Sequence, residues 1–222
     1  MSTPLCRDCF RRARKPEQIA QRREAILAAM SALLQERKPE DISLNDVAQR
    51  AGLAKSNVYR YFDSREAILL ALLTQDGLIW MDKAEAALAA LRGSGDGDAV
   101  ARVLARITSN ETRLCELISI AATVLERNTS DESVLAFKRH SLQQLGRLVQ
   151  VMSAALPDLP PARLAGLMPL FVALLSGLWS QSHPVESVRR ALAHPDLAPM
   201  RVDFQASLEQ GLALMLRGLA HP

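Results

Sequence analysis

The chain has 222 residues, 49% of them hydrophobic and 23% charged, so it can fold around a core and is not an intrinsically disordered protein. Its 10 glycines and 11 prolines are too few for a collagen-like or low-complexity protein. The net charge of +3 is unevenly distributed, because residues 1–65 carry 13 Lys and Arg against 8 Asp and Glu while the remainder is slightly acidic. This imbalance indicates a polyanion-binding N-terminal third on a nearly neutral body.

Residues 1–63 predict a basic arm followed by short helices. We expect residues 1–16 to form a flexible basic arm, and a helical apolar pattern begins at Glu17. Ser43 and Asp46 have the spacing of a capping box at the start of a second helix, and Gly52 breaks that helix before a third one. A basic arm of this kind can reach into a minor groove or along phosphates, and the alternative is a solubilising tail.

The rest of the chain predicts long helices. A long helix over about residues 64–91 ends at the Gly-rich segment Arg92–Asp98. Since no alternating apolar pattern persists anywhere, we predict an all-α protein with residues 17–63 as one domain and 64–222 as a second, linked by the 64–91 helix. Further helices are expected at about 99–108, 112–127, 131–155, 161–182 and 203–219, with a short helical turn near 185–193.

Metal sites and disulfides are not expected. The three cysteines, Cys6, Cys9 and Cys115, give an odd number with no disulfide framework, as in a reducing cytoplasm, and no secretory signal is recognisable. Cys6 and Cys9 resemble half of a zinc knuckle, but no second pair of ligands follows. We predict free thiols, no metal and no resident cofactor.

The uncharged segment Leu164–Val185 raises the alternative of a membrane span. Pro169 and several Gly and Ser residues interrupt it, and its strictly apolar part is shorter than a usual span. A helix that is apolar all round is also expected where it is buried in a bundle or a dimer. We therefore predict a bundle helix and no membrane association.

The spacing of Ala48, Gly52 and Val58 predicts a helix-turn-helix. This motif needs a small residue where its helices cross, a glycine four residues later to turn the chain, and an apolar residue six further on to anchor the second helix. The capping pattern and the basic charge of the same segment make a chance match a poor explanation.

The second helix of this motif presents a face suited to DNA. At about 100° per residue, with Val58 pointing inward, Ala54 and Phe62 also point inward. Arg and Asn side chains can pair with base edges, and Ser and Tyr hydroxyls reach phosphates. The alternative is an ordinary solvated helix. The outward residues are Ser56, Asn57, Tyr59 and Arg60.

The segment Ile42–Leu70, above all Val58-Tyr-Arg-Tyr-Phe62 and the following Ser-Arg-Glu, resembles the TetR family of bacterial transcriptional regulators over about residues 19–75. Ala54 departs from the family pattern, in which a Ser or Thr often caps the recognition helix, so the cap would come from another side chain such as Ser56. The resemblance implies phosphate contacts by Ser43, Tyr59, Tyr61 and Arg65, and entry of Lys55, Ser56, Asn57 and Arg60 into the major groove.

For residues 92–222 the resemblance implies a helical bundle that dimerises and binds a small molecule. A homodimer is expected because one helix-turn-helix covers only half of a two-fold operator. The dimer interface is predicted on the last two long helices, at Leu164, Leu167, Phe171, Leu174, Leu175, Leu178, Phe204, Leu208, Leu212 and Met215. The candidates for lining an effector pocket, each of which could equally be ordinary packing, are Trp80, Cys115, Ile118, Phe137, His140 and Trp179.

Three other classes of protein fit less well. We find no catalytic motif or phosphate-binding loop, so we predict that the chain is not an enzyme. A non-specific DNA-packaging protein would need basic charge over the whole body, and a purely interacting bundle would leave the outward face of the helix-turn-helix without a purpose. We predict a cytoplasmic, ligand-released dimeric repressor that binds a palindromic double-stranded operator, with an activator or dual regulator as the alternative.

Overall fold

A computed structural model describes residues 16–220, and over that range the chain contains helices and turns but no strand, which confirms the all-α prediction. The predicted arm, with Cys6 and Cys9, lies outside the described residues apart from Pro16, the first residue of α1. The helices are α1 (Pro16–Leu33), α2 (Leu44–Arg50), α3 (Lys55–Val58), α4 (Arg65–Leu88), α5 (Gly97–Ser109), α6 (Thr112–Ile120), α7 (Asp131–Ala155), α8 (Pro161–Ser182), α9 (Glu186–Leu192) and α10 (Phe204–Ala220).

Backbone contacts divide the chain into two compact units, one ending at Ile68 and the other beginning at Leu69. The division falls inside α4, so this helix contributes its first turn to the first unit and the rest to the second. In the first unit, α1 packs on α2 and α2 packs on α3. Their apolar sides meet in a small core formed by Ile26, Met30, Leu33, Ile42, Val47, Ala48, Val58 and Phe62.

The second unit is a helical bundle. α5 packs along α10, α8 packs against α6, α7 and α10, and a π-helical turn at Ala121–Leu125 extends α6. α8 and α10 approach closely, since a Cβ added at Gly211 would lie 2.6 Å from Leu174 Cδ2. Arg163 at the start of α8 donates to the carbonyl of Leu219 near the end of α10, so the two helices are antiparallel.

Polar groups inside the second unit are paired with one another around Thr108. Thr108 Oγ1 accepts a hydrogen bond from Trp80 Nε1 at 3.0 Å, and its carbonyl accepts one from Cys115 Sγ at 3.3 Å. Burial raises the pKa of the Cys115 thiol to about 12, so Cys115 is a protonated core residue at neutral pH. Trp80 and Cys115, both predicted to line a pocket, are therefore joined through one buried threonine.

Most of the residues predicted for the dimer interface are instead buried inside the protomer, which corrects that prediction. A side chain enclosed by its own chain offers no surface to a partner, and only Leu174, Leu178 and Met215 of the predicted set keep partial exposure. The apolar stripe visible in the sequence is thus the inward face of each helix. The residues reassigned to the core are Leu164, Leu167, Phe171, Leu175, Phe204, Leu208 and Leu212.

α8 is the one helix among residues 16–220 that is long and apolar enough to cross a membrane by length and composition. Its residues Leu164, Phe171 and Trp179 are buried in the bundle. Trp179 packs edge-on against Phe204 of α10, with ring centroids 5.0 Å apart. These contacts account for the apolar character of one side of α8. A helix buried in the core of a bundle can be as long and as apolar as a membrane-spanning helix.

A buried ion pair joins α4 to α6. Asp76 is 7% exposed, and its two carboxylate oxygens accept hydrogen bonds from Arg113 Nε at 2.7 Å and Nη2 at 2.5 Å. This pairing raises the pKa of Arg113. Arg113 keeps about a third of its side chain in solvent, so the two partners differ in how far water can reach them.

Because Asp76 and Arg113 differ in exposure, removing either side chain should lower the free energy of unfolding by a different amount. Arg113→Ala leaves a carboxylate buried without a partner and is expected to lower the free energy of unfolding of the second unit by about 3–5 kcal/mol. Asp76→Ala leaves an arginine that water can reach and should cost clearly less. Urea unfolding followed by the fluorescence of Trp80 and Trp179 measures both variants, and equal losses would contradict this account.

Candidate nucleic-acid interface

A capping box fixes the start of α2, as the sequence predicts. Ser43 Oγ accepts the backbone N–H of Asp46 at 3.2 Å, while Asp46 Oδ2 accepts the N–H of Ser43 at 2.8 Å and its hydroxyl at 2.6 Å. These hydrogen bonds lower the pKa of the partly exposed Asp46. Ser43 is therefore a capping residue, and its hydroxyl donates to Asp46. The contact between the Ser43 hydroxyl and a DNA phosphate stays a prediction. Such a contact would require the hydrogen bond to Asp46 to break.

The turn after α2 depends on Gly52. Gly52 has φ +66°, a left-handed conformation that favours glycine. Its N–H donates to the carbonyl of Gln49 at 3.1 Å, and the N–H of Leu53 donates to the carbonyl of Ala48 at 2.9 Å. The two bonds form a Schellman motif, which ends α2 and directs the chain into α3.

α3 begins at Lys55 without a side-chain cap. Ala54 occupies the cap position with an extended backbone, so neither Ala54 nor Ser56 supplies the capping hydrogen bond expected from the sequence. The prediction that Ala54 points inward is wrong, since Ala54 is exposed. It precedes the helix, where a rotation of about 100° per residue does not apply. Val58 and Phe62 are buried, as predicted.

The outer side of α3 and of the turn after it carries unpaired polar side chains. Tyr59 is 53% exposed, and Asn57 and Tyr61 are partly buried. Within residues 16–220, no side-chain hydrogen bond or ion pair engages Lys55 or Arg60, and residues 47–62 contain no Asp or Glu. A cationic surface with no internal counter-charge is what a phosphate backbone requires. The exposed residues of this surface are Lys55, Ser56, Tyr59 and Arg60.

Arg23 of α1 supports this surface and was not identified from the sequence. Its guanidinium carbon lies 4.1 Å from the centroid of the Phe62 ring, and its Nη1 donates to the carbonyl of Tyr61 at 3.1 Å. Partial burial lowers the pKa of Arg23. Arg23 therefore anchors the turn that follows α3. The sequence could have indicated this role, because Arg23 lies one helical turn before the buried Ile26 and Leu27 and therefore near the inward face of α1.

Arg65 has an internal role that the sequence did not indicate, and its phosphate contact stays a prediction. Its Nη1 donates to the carbonyls of Ile42 at 2.9 Å, Pro39 at 3.3 Å and Glu40 at 3.4 Å. Its Nε and Nη2 donate to Glu66 Oε1 at 3.1 and 2.7 Å. Through these bonds Arg65 ties the first turn of α4 to the turn that precedes α2.

Comparison with known proteins gives short, strong matches in the helix-turn-helix region. The chain is 49% identical over 49 residues to the HTH-type transcriptional regulator EthR of Mycobacterium tuberculosis, covering 22% of this chain and 23% of EthR. It is 41% identical over 64 residues to an uncharacterized HTH-type transcriptional regulator of the same species, covering 29% and 30% of the two chains. The matches thus span less than a third of these relatives.

Solved structures match over most of the chain at low sequence identity, and therefore support the fold alone. FadR of Bacillus halodurans, described as a fatty acid degradation regulator, has a TM-score of 0.53 at 18% identity, covering 95% of this chain and 100% of that one. The TetR family regulator PfmR of Thermus thermophilus has a TM-score of 0.50 at 18% identity, covering 87% and 98%.

The internal role of Arg65 predicts a structural phenotype. Arg65→Ala removes the donor to three carbonyls and leaves Glu66 unpaired, so we expect the first unit to lose about 2 kcal/mol of stability. The matched control is Arg50→Ala, which breaks an exposed pair with Glu36 and should cost less than about 1 kcal/mol. Hydrogen exchange of the amides of residues 40–50 measures both, and equal protection in the two variants would refute the role of Arg65.

Family models cover nearly the whole chain from residue 26 onward. The model for bacterial regulatory proteins of the tetR family matches residues 26–72, which include the helix-turn-helix. The model for the tetracyclin repressor-like C-terminal domain matches residues 74–222, more than half of the chain. These families consist of transcriptional regulators, which confirms that the chain is a DNA-binding regulator and not an enzyme. The chain belongs to the TetR family of bacterial transcriptional regulators.

Proposed function

We propose that the chain is a cytoplasmic dimeric repressor that binds a palindromic operator and leaves it when a small-molecule effector binds. Sequence-specific DNA binding is supported above all by the outer side of α3 and of the turn after it. There Lys55, Tyr59 and Arg60 have no internal partner within residues 16–220. Lys55 and Arg60 supply charge for phosphates or guanine edges, and the Tyr59 hydroxyl supplies a hydrogen bond to the backbone. Two copies of α3 one helical turn of DNA apart, about 34–36 Å, would read the two halves of a palindrome.

The exposed side of α8 and α10 supports the dimer. Leu170 is 55% exposed and Leu214 is 59% exposed. Because Leu174 meets Gly211 and the helices are antiparallel, Leu170 and Leu214 lie at the same level of the pair. Neighbouring positions on α8 carry small or apolar exposed residues, as a closely packed two-fold interface needs. Those α8 residues are Gly166, Pro169, Val172, Ala173 and Gly177.

Release by an effector needs only a modest coupling free energy. A ligand that lowers operator affinity by about 5–150-fold corresponds to about 1–3 kcal/mol, and it must bind the released state more tightly than the DNA-bound state. α4 carries the chain from the first unit into the second, so it is the element that a ligand in the second unit would bias.

Operator binding is tested by fluorescence anisotropy with a pool of genomic fragments that includes the region upstream of the gene, at two salt concentrations. We expect tight binding to a near-palindrome that weakens steeply with salt, and at least about tenfold loss in Arg60→Ala and in Tyr59→Ala. Arg50→Ala, which removes the same charge from the Glu36 pair, should keep the preference for that fragment. Equal weak binding to every fragment would instead indicate a non-specific DNA binder.

The dimer surface makes a separate prediction. Leu170→Glu places two carboxylates near the two-fold axis and should raise the dimer dissociation constant by on the order of 100-fold. Leu142→Glu is the control, because Leu142 on α7 is more exposed still, at 72%. Sedimentation velocity distinguishes the 24.3 kDa protomer from a dimer of twice that mass. A Leu170→Glu protein that remains dimeric would place the interface elsewhere.

A further inference from the structure

α3 is too short to keep its conformation without support. The helix spans Lys55–Val58, and turn hydrogen bonds continue it to Phe62. Of the residues of α3, Val58 is the buried one. Starting a helix costs more free energy than extending one, so a single helical turn is not stable by itself in water. The conformation of α3 therefore depends on its attachments to the rest of the first unit.

The start of α3 lacks the attachment that a side-chain cap provides. Ala54 occupies the cap position, and within residues 16–220 no side-chain hydrogen bond caps this helix. A Ser, Thr, Asp or Asn in the cap position stabilises a helix relative to Ala. The start of α3 is thus held less firmly than the start of α2, where Ser43 and Asp46 form a capping box.

The end of the same segment is held by α1. The guanidinium carbon of Arg23 lies 4.1 Å from the centroid of the Phe62 ring, and Arg23 Nη1 donates to the carbonyl of Tyr61 at 3.1 Å. The last carbonyl groups of a helical segment have no partner inside it, and an arginine can supply one. Arg23 thus bonds the free end of the segment and covers the ring of Phe62, which is itself buried.

Tyr59 and Arg60 lie between two fixed points of the backbone. Val58, immediately before them, is completely buried, and the carbonyl of Tyr61, immediately after them, is bonded to Arg23. The N–H of Tyr61 donates to the carbonyl of Val58 at 2.9 Å and closes the turn between the two points. The directions in which the Tyr59 and Arg60 side chains leave the backbone are therefore fixed.

Recognition of a base sequence needs this fixed direction more than attraction to phosphates does. Hydrogen bonds to base edges require a defined geometry, whereas attraction between a cation and the phosphate backbone carries no sequence information. When the competent conformation is populated only part of the time, the affinity for the specific site falls by that fraction. A loosened turn should therefore lower binding to the operator more than binding to other DNA.

We propose that Arg23 is a positioning residue that sets the sequence specificity of DNA binding, in place of the side-chain cap that α3 lacks. Arg23 acts through the Tyr61 carbonyl and the Phe62 ring and does not itself contact a base. This inference rests on the proposed operator binding, and it assigns part of the selectivity to a residue of α1, outside the helix-turn-helix.

The specificity is measured as the ratio of the affinities for the operator fragment and for a scrambled fragment of the same length, by fluorescence anisotropy at one salt concentration. Arg23→Met keeps a chain of similar length over Phe62 but removes the hydrogen bond, and we expect the ratio to fall about tenfold. Arg22→Ala is the matched control, because Arg22 is the neighbouring exposed arginine of α1. It should weaken binding to both fragments alike and leave the ratio within about twofold of the wild type.

A cap restored at the other end of α3 tests whether one attachment replaces the other. In the Arg23→Met protein, Ala54→Ser should raise the ratio about three- to tenfold, because a Ser cap stabilises the start of a helix. In the wild type the same change should raise the ratio less than about twofold, because Arg23 already holds the segment. Recovery of the melting temperature without recovery of the ratio would show a merely structural role and overturn the inference.

Hydrogen exchange tests the attachment without DNA. In Arg23→Met the amides of residues 59–62 should exchange about tenfold faster than in the wild type, while those of residues 47–51 keep their protection. Equal acceleration in both segments would mean that Arg23 stabilises the whole unit, which contradicts a positioning role.

Two binding results would also overturn the inference. Equal losses of affinity for both fragments in Arg23→Met would indicate a direct phosphate contact, and an unchanged ratio would show that the attachment is not needed. A wild-type preference for the operator that survives in Arg23→Met refutes only this inference. A wild-type protein that binds every fragment equally refutes the proposed function.

Discussion

The left-handed backbone at Gly52 decides which side chains the first unit presents to its surroundings. The chain must reverse between α2 and α3 within a few residues, and the hydrogen bond from Leu53 N–H to the carbonyl of Ala48 closes that reversal. A residue with a Cβ would be strained there by about 1–3 kcal/mol. Because Val58 is completely buried a few residues later, the turn also fixes the rotation of α3. Tyr59 and Arg60 are outward as a consequence.

Arginines divide into two groups around this turn. Arg23 and Arg65 direct their guanidinium groups at backbone carbonyls of the turns that flank α2 and α3. Arg60 has no such partner within residues 16–220 and stays available. A guanidinium has five donors in a fixed plane, so one residue can bond several carbonyls of a turn and orient it. Arg23 and Arg65 thus hold the two turns rigid, and the rigid turns give Arg60 a defined position.

The second unit departs from uniform packing in two places. Its interior pairs Asp76 with Arg113 and Trp80 with Thr108, whereas His140 Nε2 is buried without a hydrogen-bond partner within residues 16–220. Its surface keeps Leu170 and Leu214 in solvent although the same helices bury many other apolar residues. Local departures from good packing are expected at functional sites, because a site must keep binding capacity that the fold does not use.

Features that depend on neighbours within about six residues could be predicted from the sequence. The capping box of Ser43 and Asp46, the turn at Gly52 and the inward position of Val58 follow from local geometry, and all are present. Arg65 could not be assigned in this way, since its carbonyl partners lie 23–26 residues earlier in the chain. An arginine looks the same in the sequence whether its partner in the folded protein is a DNA phosphate or a backbone carbonyl.

The helical class, the helix-turn-helix and the family could be inferred from the amino-acid sequence, because periodicity, capping residues and a left-handed glycine act over short distances. The side of α8 and of α10 that faces the protomer's own core depends on how the helices pack together. Both sides of these helices are apolar. Hydrophobic periodicity therefore indicates that a residue is buried, but it does not show whether the protomer's own core or a partner subunit buries it. Tertiary packing chose Leu164 and Leu208 for the interior and left Leu170 and Leu214 outside.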